Sequence, residues 1–172
     1  YQYSEMACDG LPEWLLCHDE ILAKNVNGTT FCKTAVSYNH PYFIEKATIY
    51  LKKVCEILVA YKDVVDCIQL DNEAVGVQIW RGSLDYNREG NGIGVKGGAY
   101  VSFIKDKYKD ISALNDAYKT NFTSFETVDP SVCDKAPGKW EFSHDYLEFN
   151  GLQLTRYFVT LQKIFDQCGL KC

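Results

Sequence analysis

The chain of 172 residues has the length of one domain, and a hydrophobic fraction of 47% is enough to build a packed core. These values exclude an intrinsically disordered chain. The formal net charge is -5, and the 18 lysine and arginine residues are scattered without forming a basic run. We therefore expect no nucleic-acid partner. Residues 57–60 and 64–70 are the main apolar stretches, and both are far too short to cross a membrane.

The cysteines and two sequons predict an exported glycoprotein. The eight cysteines form no CxxC pair and no Cys/His cluster, so we predict neither a metal site nor another cofactor. Their even number permits full pairing as disulfides, and the connectivity stays open. Asn27 and Asn121 each begin an Asn-x-Thr sequon and are predicted glycosylation sites. We expect a secreted protein or one in the secretory-pathway lumen, extracellular or lysosome-like, with its leader removed before Tyr1.

Residues 1–73 are predicted to form an irregular segment followed by a helix and a strand. Glycine, asparagine and proline recur before residue 40, as in a long loop with turns. Pro41 suits the first turn of a helix, and apolar residues then recur at helical spacing for about 20 residues. Residues 64–70 are β-branched and mostly apolar, which predicts a buried parallel strand. The predicted inner face of the helix is Phe43, Ala47, Tyr50, Leu51, Val54, Leu58 and Tyr61.

Residues 74–98 are predicted to form a glycine-rich loop, and residues 99–172 a helical segment. Residues 92–97 match the G-x-G-x-x-G spacing of a dinucleotide site, but no strand leads into the first glycine, so we assign the glycines to the loop. Helices are predicted over residues 99–108, about 111–120 with Asp110 as N-cap, and about 143–167 with Ser143 as N-cap. The predicted inner face of the last helix is Leu147, Gly151, Leu154, Phe158, Leu161 and Phe165.

Glu73 is the leading candidate for a catalytic group. It closely follows the predicted strand, and α/β barrels place catalytic side chains at the carboxyl ends of their parallel strands. A general acid needs a raised pKa, which a half-buried position near a second carboxylate supplies. The whole chain is predicted to be a single domain with about one and a half turns of an α/β winding, which is short of a closed fold.

Several segments resemble family 42 β-galactosidases. Residues 67–76, CIQLDNEAVG, are similar to the family's WQxDNExG segment. Three further stretches agree in order and spacing, the third of them continuing through residues 122–130, so the resemblance covers residues 12 to about 165. They are residues 12–15 with 19–22 (PEWL, DEIL), residues 37–41 (SYNHP) and residues 103–108 with 111–118 (FIKDKY, ISALNDAY).

The resemblance implies part of a (β/α)8 TIM barrel, from about strand three to the helices after strand four. The cysteines predict that disulfides staple this partial barrel. The resemblance also implies a retaining hydrolase of β-linked glycosides with Glu73 as acid/base. Independently of the resemblance, the amide of Asn72 suits a sugar hydroxyl and the indoles of Trp14 and Trp80 suit stacking on sugar faces, so we predict these three as substrate-binding residues. The family's nucleophilic glutamate follows strand seven and has no counterpart in these residues. Because retention needs two carboxylates, this chain alone should not hydrolyse glycosides.

Two hypotheses about function follow. The chain is either part of a secreted β-galactosidase-like enzyme, or a non-catalytic carbohydrate-binding or assembly glycoprotein derived from a hydrolase barrel. The first requires the remainder of the barrel, or another polypeptide, as a partner. The second expects disulfides to stabilise the truncated core.

Overall fold

Helices account for most of the regular structure. The computed structural model describes residues 11–30, 33–71 and 84–171. Within these ranges none of the helices is both long and apolar enough to cross a membrane. The only extended pairing there consists of two isolated antiparallel bridges, Leu22 with Val36 and Lys24 with Thr30. The helices are α1 (Glu13–Leu16), α2 (Pro41–Leu58), α3 (Arg88–Asn91), α4 (Ala99–Tyr108), α5 (Ile111–Tyr118), α6 (Pro130–Cys133) and α7 (Lys139–Gln167), with 3-10 turns at Asp19–Ile21, Val59–Tyr61 and Phe125–Thr127.

Helix α7 is the spine of the fold. Its first half contributes Phe142, Tyr146 and Phe149 to an apolar cluster with α4 and α5. Its second half contributes Tyr157 and Leu161 to another cluster, with α2 and the N-terminal segment. Burial of large side chains on both halves stabilises the arrangement, at roughly 1.5–3 kcal/mol for each fully buried side chain. Helix α7 therefore joins the N-terminal part of the described chain to α4 and α5.

The start of α7 differs from the prediction. The helix begins at Lys139 after Gly138, so Ser143 lies inside it and is not the N-cap. A Cβ atom on Gly138 would lie 2.3 Å from the carbonyl oxygen of Ala117. The glycine thus lets the chain pass against the end of α5 and turn into α7 at that point.

The buried face of α7 was also predicted only in part. Leu161 and Phe165 are buried as predicted, whereas Leu147 and Gly151 are exposed. The reason is that aromatic and polar side chains occupy the buried face, where Asp145, Tyr146 and Tyr157 find hydrogen-bond partners inside the protein. An apolar pattern that leaves out tyrosine and glutamine misses them. The buried residues of α7 are Phe142, Asp145, Tyr146, Phe149, Gln153, Tyr157, Leu161, Ile164 and Phe165.

Helix α2 confirms the prediction from Pro41, which occupies the first turn of an 18-residue helix. Phe43 is buried, and Ala47 and Leu51 pack against the same cluster. The other predicted contacts are wrong for Tyr50 and Tyr61, whose side chains are 67% and 59% exposed. The buried face of α2 is therefore narrower than the helical spacing of its apolar residues predicted.

Helices α4 and α5 lie where the sequence predicted them. Helix α4 has the predicted bounds, and α5 ends two residues earlier than predicted. The carboxylate of Asp110 accepts a hydrogen bond from the backbone N–H of Ser112 at 2.6 Å. Asp110 is therefore the N-cap of α5, as predicted.

The predicted strand at residues 64–70 is wrong for the described chain. Those residues form no strand, and the side chain of Val64 is 79% exposed. The Ile68 N–H donates a hydrogen bond to the Lys171 carbonyl at 3.2 Å. A parallel strand needs neighbouring strands to satisfy its backbone groups, and the described residues supply none.

The glycines of residues 92–97 serve a tight turn. Gly92 has φ +65° at the end of α3, and a Cβ atom there would lie 2.4 Å from the backbone nitrogen of Ala99. Only glycine suits such a close approach in the left-handed conformation. The predicted loop is therefore interrupted by the short helix α3, and this turn leads from it toward α4.

Disulfide stapling is not supported by the structure. Cys17, Cys67, Cys133 and Cys168 are free thiols. Cys133 is fully buried among the aromatic residues at α7 and packs there as a small apolar side chain, which explains its presence without a bridge. Cys8, Cys32 and Cys172 lie outside the described residues.

Candidate functional site

The residue that leads into Asn72 and Glu73 is held by α7. The hydroxyl of Tyr157 donates a hydrogen bond to the carboxylate of Asp71 at 2.9 Å. The Tyr157 ring stacks on Tyr38 with centroids 4.8 Å apart. Asn72, Glu73 and Trp80 lie outside the described residues. Asp71, which precedes the predicted sugar ligand Asn72 and the predicted catalytic residue Glu73, is therefore held by α7.

Asp85 anchors the chain on the other side of that segment. Its carboxylate accepts hydrogen bonds from the backbone N–H groups of Lys24 and Asn87, at 3.1 and 2.8 Å, and from the side-chain amide of Asn91 at 3.2 Å. Its carbonyl accepts one from the hydroxyl of Tyr146 at 2.8 Å. Burial raises the pKa of Asp85, and the N–H donors oppose that rise. Asp71 and Asp85 are thus both bonded to tyrosines of α7.

Sequence reasoning missed Asp85, although a signal for it exists. Asp85-Tyr86-Asn87 places an aspartate two residues before a helix cap, which is the spacing of an Asx-turn. Asn87 is that cap, since its side chain accepts from the N–H of Gly90 at 2.9 Å. Its amide group also donates to the carbonyls of Glu20 and Leu22, at 2.7 and 2.9 Å. These bonds tie the segment to the N-terminal region.

Asp85 also lines a polar pocket. Its floor consists of Asp85, Asn91 and Gln153, which are all at least nine-tenths buried. A half-buried rim surrounds this floor, and in it the amide of Asn39 donates to the backbone carbonyl of Gln153 at 2.8 Å. Such a concave group of amide and carboxylate oxygens is suited to hydroxyl or N–H donors. The pocket is lined by Tyr38, Asn39, Asp85, Asn91, Asn150, Gln153 and Leu154.

A sequence profile of a β-galactosidase family, glycoside hydrolase family 42, matches residues 6–170. The chain belongs to glycoside hydrolase family 42. It is also 32% identical over 160 residues to a β-1,2-glucosyltransferase of Ignavibacterium album, in an alignment that covers 87% of this chain and 20% of the relative. The chain thus spans about a fifth of the length of that curated relative. The resemblance drawn from the Asp71-Asn72-Glu73 segment, called the DNE segment below, is confirmed.

Trp14, a proposed stacking residue of this family 42 chain, lies on α1 with its side chain 56% exposed. The neighbouring Leu15 is buried and fixes α1 on the core. Further along, the ring of His18 packs against Tyr42 at 4.8 Å, and its Nδ1 atom lies 2.9 Å from the Glu20 carboxylate. An exposed indole next to an anchored leucine is suited to stacking, and this role stays a prediction.

The two predicted glycosylation sites of the family 42 chain are both exposed. The side chain of Asn27 accepts hydrogen bonds from the N–H and the hydroxyl of Thr29, at 3.1 and 2.7 Å. It borders an indentation whose edge includes the ion pair between Arg88 and Asp129. Asn121 lies beyond α5. Glycosylation at either asparagine stays a prediction.

A cluster on α7 has the composition of a metal site but a different role in this family 42 chain. Ligand atoms of His144, Asp145 and Glu148 lie within 4.8 Å of one another. The ammonium group of Lys107 contacts Asp145 at 2.8 Å and also Glu148, so a cation of the protein itself balances the carboxylates. Burial raises the pKa of Asp145, but hydrogen bonds from Lys107 and two tyrosines outweigh it and hold the pKa below the usual range. The cluster is a junction between α4, α5 and α7.

Proposed function

We propose that this chain is part of a retaining β-glycosidase and that Glu73 is its general acid/base. The observation that carries the proposal is the DNE segment of a family 42 chain, whose aspartate is bonded to α7 by Tyr157. Glu73 follows Asp71 by two residues. A catalytic acid must be positioned within hydrogen-bond reach of the leaving oxygen, and an anchored neighbour limits its movement.

The proposed reaction is the two-step mechanism of retaining enzymes. Glu73 protonates the glycosidic oxygen while a second carboxylate attacks the anomeric carbon, and Glu73 then removes a proton from the water that releases the sugar. The two carboxylates must lie about 5–5.5 Å apart. The nucleophile is proposed to lie in the part of the protein that this chain does not cover. Asn72 is proposed to bind a sugar hydroxyl, and Trp14 and Trp80 to stack on sugar faces.

The remainder of a barrel is the proposed partner of the described residues. Ile57, near the end of α2, is 65% exposed, and Val64, which follows the helix, is 79% exposed. Residues 65–70 follow and form no strand in the described part of the chain. Exposed apolar side chains favour association with further polypeptide. A chain that spans a fifth of a curated relative leaves ample polypeptide for this purpose.

A second candidate function is glycosyl transfer. The relative from Ignavibacterium album carries the name of a β-1,2-glucosyltransferase, which favours a sugar acceptor in place of water. The same acid/base can deprotonate a sugar hydroxyl instead of water in the second step. The non-catalytic binding or assembly role remains the alternative in which Glu73 has no chemical task. Secretion is proposed with all three functions.

Glu73→Gln in the complete natural protein tests the enzymatic proposal. We expect at least a hundredfold loss of kcat for a β-galactoside or β-glucoside with a poor leaving group, since general acid catalysis contributes roughly 10²–10⁴-fold. A dinitrophenyl glycoside needs no protonation, so its first step should survive and the glycosyl-enzyme should accumulate as a burst. Products analysed with water alone and with added glucose distinguish hydrolysis from transfer.

Glu56→Gln is the matched control, because Glu56 is an exposed glutamate on α2 that pairs with Lys53. Its kinetics should equal those of the natural protein. Equal turnover of the poor substrate by the Glu73 and Glu56 variants would refute the assignment. A natural protein that binds sugars but turns over no glycoside would favour the non-catalytic role.

A further inference from the structure

Gln153 is an unusual residue on the buried face of α7. Its side chain is 8% exposed, and its Oε1 atom has no hydrogen-bond partner among the described residues. Leaving a buried acceptor unsatisfied costs about 1–3 kcal/mol. The backbone carbonyl of the same residue is satisfied by Asn39. The cost therefore falls on the side-chain oxygen of Gln153, a residue that lines the polar pocket.

The other two floor residues of the pocket have partners. Asp85 accepts three N–H groups, and Asn91 donates to both the carbonyl and the carboxylate of Asp85. The acceptor that still needs a donor is thus the neutral amide oxygen of Gln153. The Gln153 oxygen is neutral, and the nearby carboxylate of Asp85 already has its own N–H donors. A hydroxyl group therefore suits this acceptor better than an ammonium group does.

The size of the pocket limits what can enter. Its interior has room for about one water-sized group. A whole sugar ring does not fit, but a single hydroxyl group does. The amide of Asn150, on the half-buried rim, is then available to bind the part of the sugar that stays outside the pocket. Tyr38 of the same rim stacks on Tyr157, which binds Asp71, so the pocket is linked to the DNE segment by direct contacts.

We propose that the pocket is a single-hydroxyl anchor, in which Gln153 Oε1 accepts a hydrogen bond from one hydroxyl group of a bound sugar. This inference rests on the proposed action on glycosides and adds a specificity-determining residue to it. A sugar that lacks this hydroxyl leaves the acceptor unpaired and binds less tightly.

The test uses the complete natural protein, with methyl β-galactoside, methyl β-glucoside and their monodeoxy analogues as probes. Dissociation constants are measured by ligand-observed NMR for the natural protein and for Gln153→Met, which keeps the length of the side chain and removes the acceptor. In the natural protein one monodeoxy analogue should bind about two- to tenfold more weakly than its parent, the value of one hydrogen bond. In Gln153→Met the parent should weaken by the same factor, so that the difference between parent and analogue disappears.

Gln162→Met is the matched control on the exposed side of α7 and should leave every constant unchanged. If Gln153→Met fails to fold, Asn150→Trp at the rim closes the pocket without altering its floor and should abolish the same discrimination. Identical discrimination in the natural protein and the pocket variants overturns the proposal and shows that the pocket holds water only. That result leaves the Glu73 assignment intact, whereas full activity of Glu73→Gln together with lost discrimination in Gln153→Met refutes the catalytic assignment alone. Failure of the natural protein to bind any of these sugars overturns both.

Discussion

Tyr157 joins α7 to Asp71 through a hydrogen bond of 2.9 Å between the phenol hydroxyl and the carboxylate. One helical turn earlier on the same helix, Gln153 lies at the floor of the polar pocket. The anchor of the DNE segment and the proposed hydroxyl acceptor therefore belong to one rigid element. Sites that are built on helices are held more precisely than sites on loops.

Tyr157→Phe should reduce kcat several-fold in the complete protein and change KM little. The variant keeps the ring that stacks on Tyr38 but loses the hydrogen bond to Asp71. Asp71, two residues before Glu73, is then less constrained. The free energy of unfolding should fall by about 1 kcal/mol, the typical worth of one hydrogen bond. Steady-state kinetics and urea unfolding measure the two effects.

Tyr61→Phe provides the control for that experiment, because Tyr61 is an exposed tyrosine beyond α2. It should alter neither kinetics nor stability. A Tyr157→Phe enzyme with an unchanged kcat would show that the bond to Asp71 has no part in positioning the acid/base.

Asp145→Asn should destabilise the protein by about 1–3 kcal/mol, since it removes a buried charge from three hydrogen-bond donors. These donors are the ammonium group of Lys107 and the hydroxyls of Tyr108 and Tyr118. Glu148→Gln, an exposed partner of the same lysine, should cost less than about 1 kcal/mol. Urea unfolding at pH 7 compares the two variants.

The same carboxylate predicts a dependence of stability on pH. The pKa of Asp145 is lowered in the folded protein, so its contribution is full above the unfolded pKa of about 3.9 and is lost as pH falls through the folded value. The difference in stability between the natural protein and Asp145→Asn should therefore shrink in acid. A difference that stays constant from pH 7 to pH 2 would contradict the assigned ion pair.

The sequence predicted those helices whose stability depends on local patterns. Pro41 marked the start of α2, and Asp110 capped α5, because both signals act within one turn. The strand at residues 64–70 was not found because strand formation depends on neighbours, which the described residues lack. The start of α7 depended on the approach of Gly138 to Ala117, and local spacing contains no information on that contact.

The candidate site was predicted from motif and not from geometry. The DNE segment pointed to the family, which the profile match confirms. Gln153 escaped notice because a glutamine within an amphipathic helix is ordinarily a surface residue. Its burial follows from the long-range contact of α7 with Asn39, which lies 114 positions away in sequence.

Two glycines should respond in opposite ways to replacement by alanine. Gly92→Ala should destabilise the protein by more than about 1 kcal/mol, because its φ is +65° and the added methyl group would meet the backbone of Ala99. Gly151→Ala should stabilise it by about 0.5–1 kcal/mol, since Gly151 lies in the interior of α7 with nothing within 4 Å of the new atom. Thermal unfolding of both variants gives the signs, and a stabilising Gly92→Ala would contradict the described turn.

Alkylation of the native protein without reductant tests the state of the thiols. Cys17 and Cys67 are exposed and should be modified by iodoacetamide, as found by peptide mass mapping. Burial raises the pKa of Cys133 to about 12, so this thiol should react only after unfolding. If Cys17 and Cys67 resist the reagent until a reductant is added, they are oxidised in the natural protein. The prediction of a disulfide-bonded secreted protein would then gain support, and the free thiols of the structure would describe the reduced chain alone.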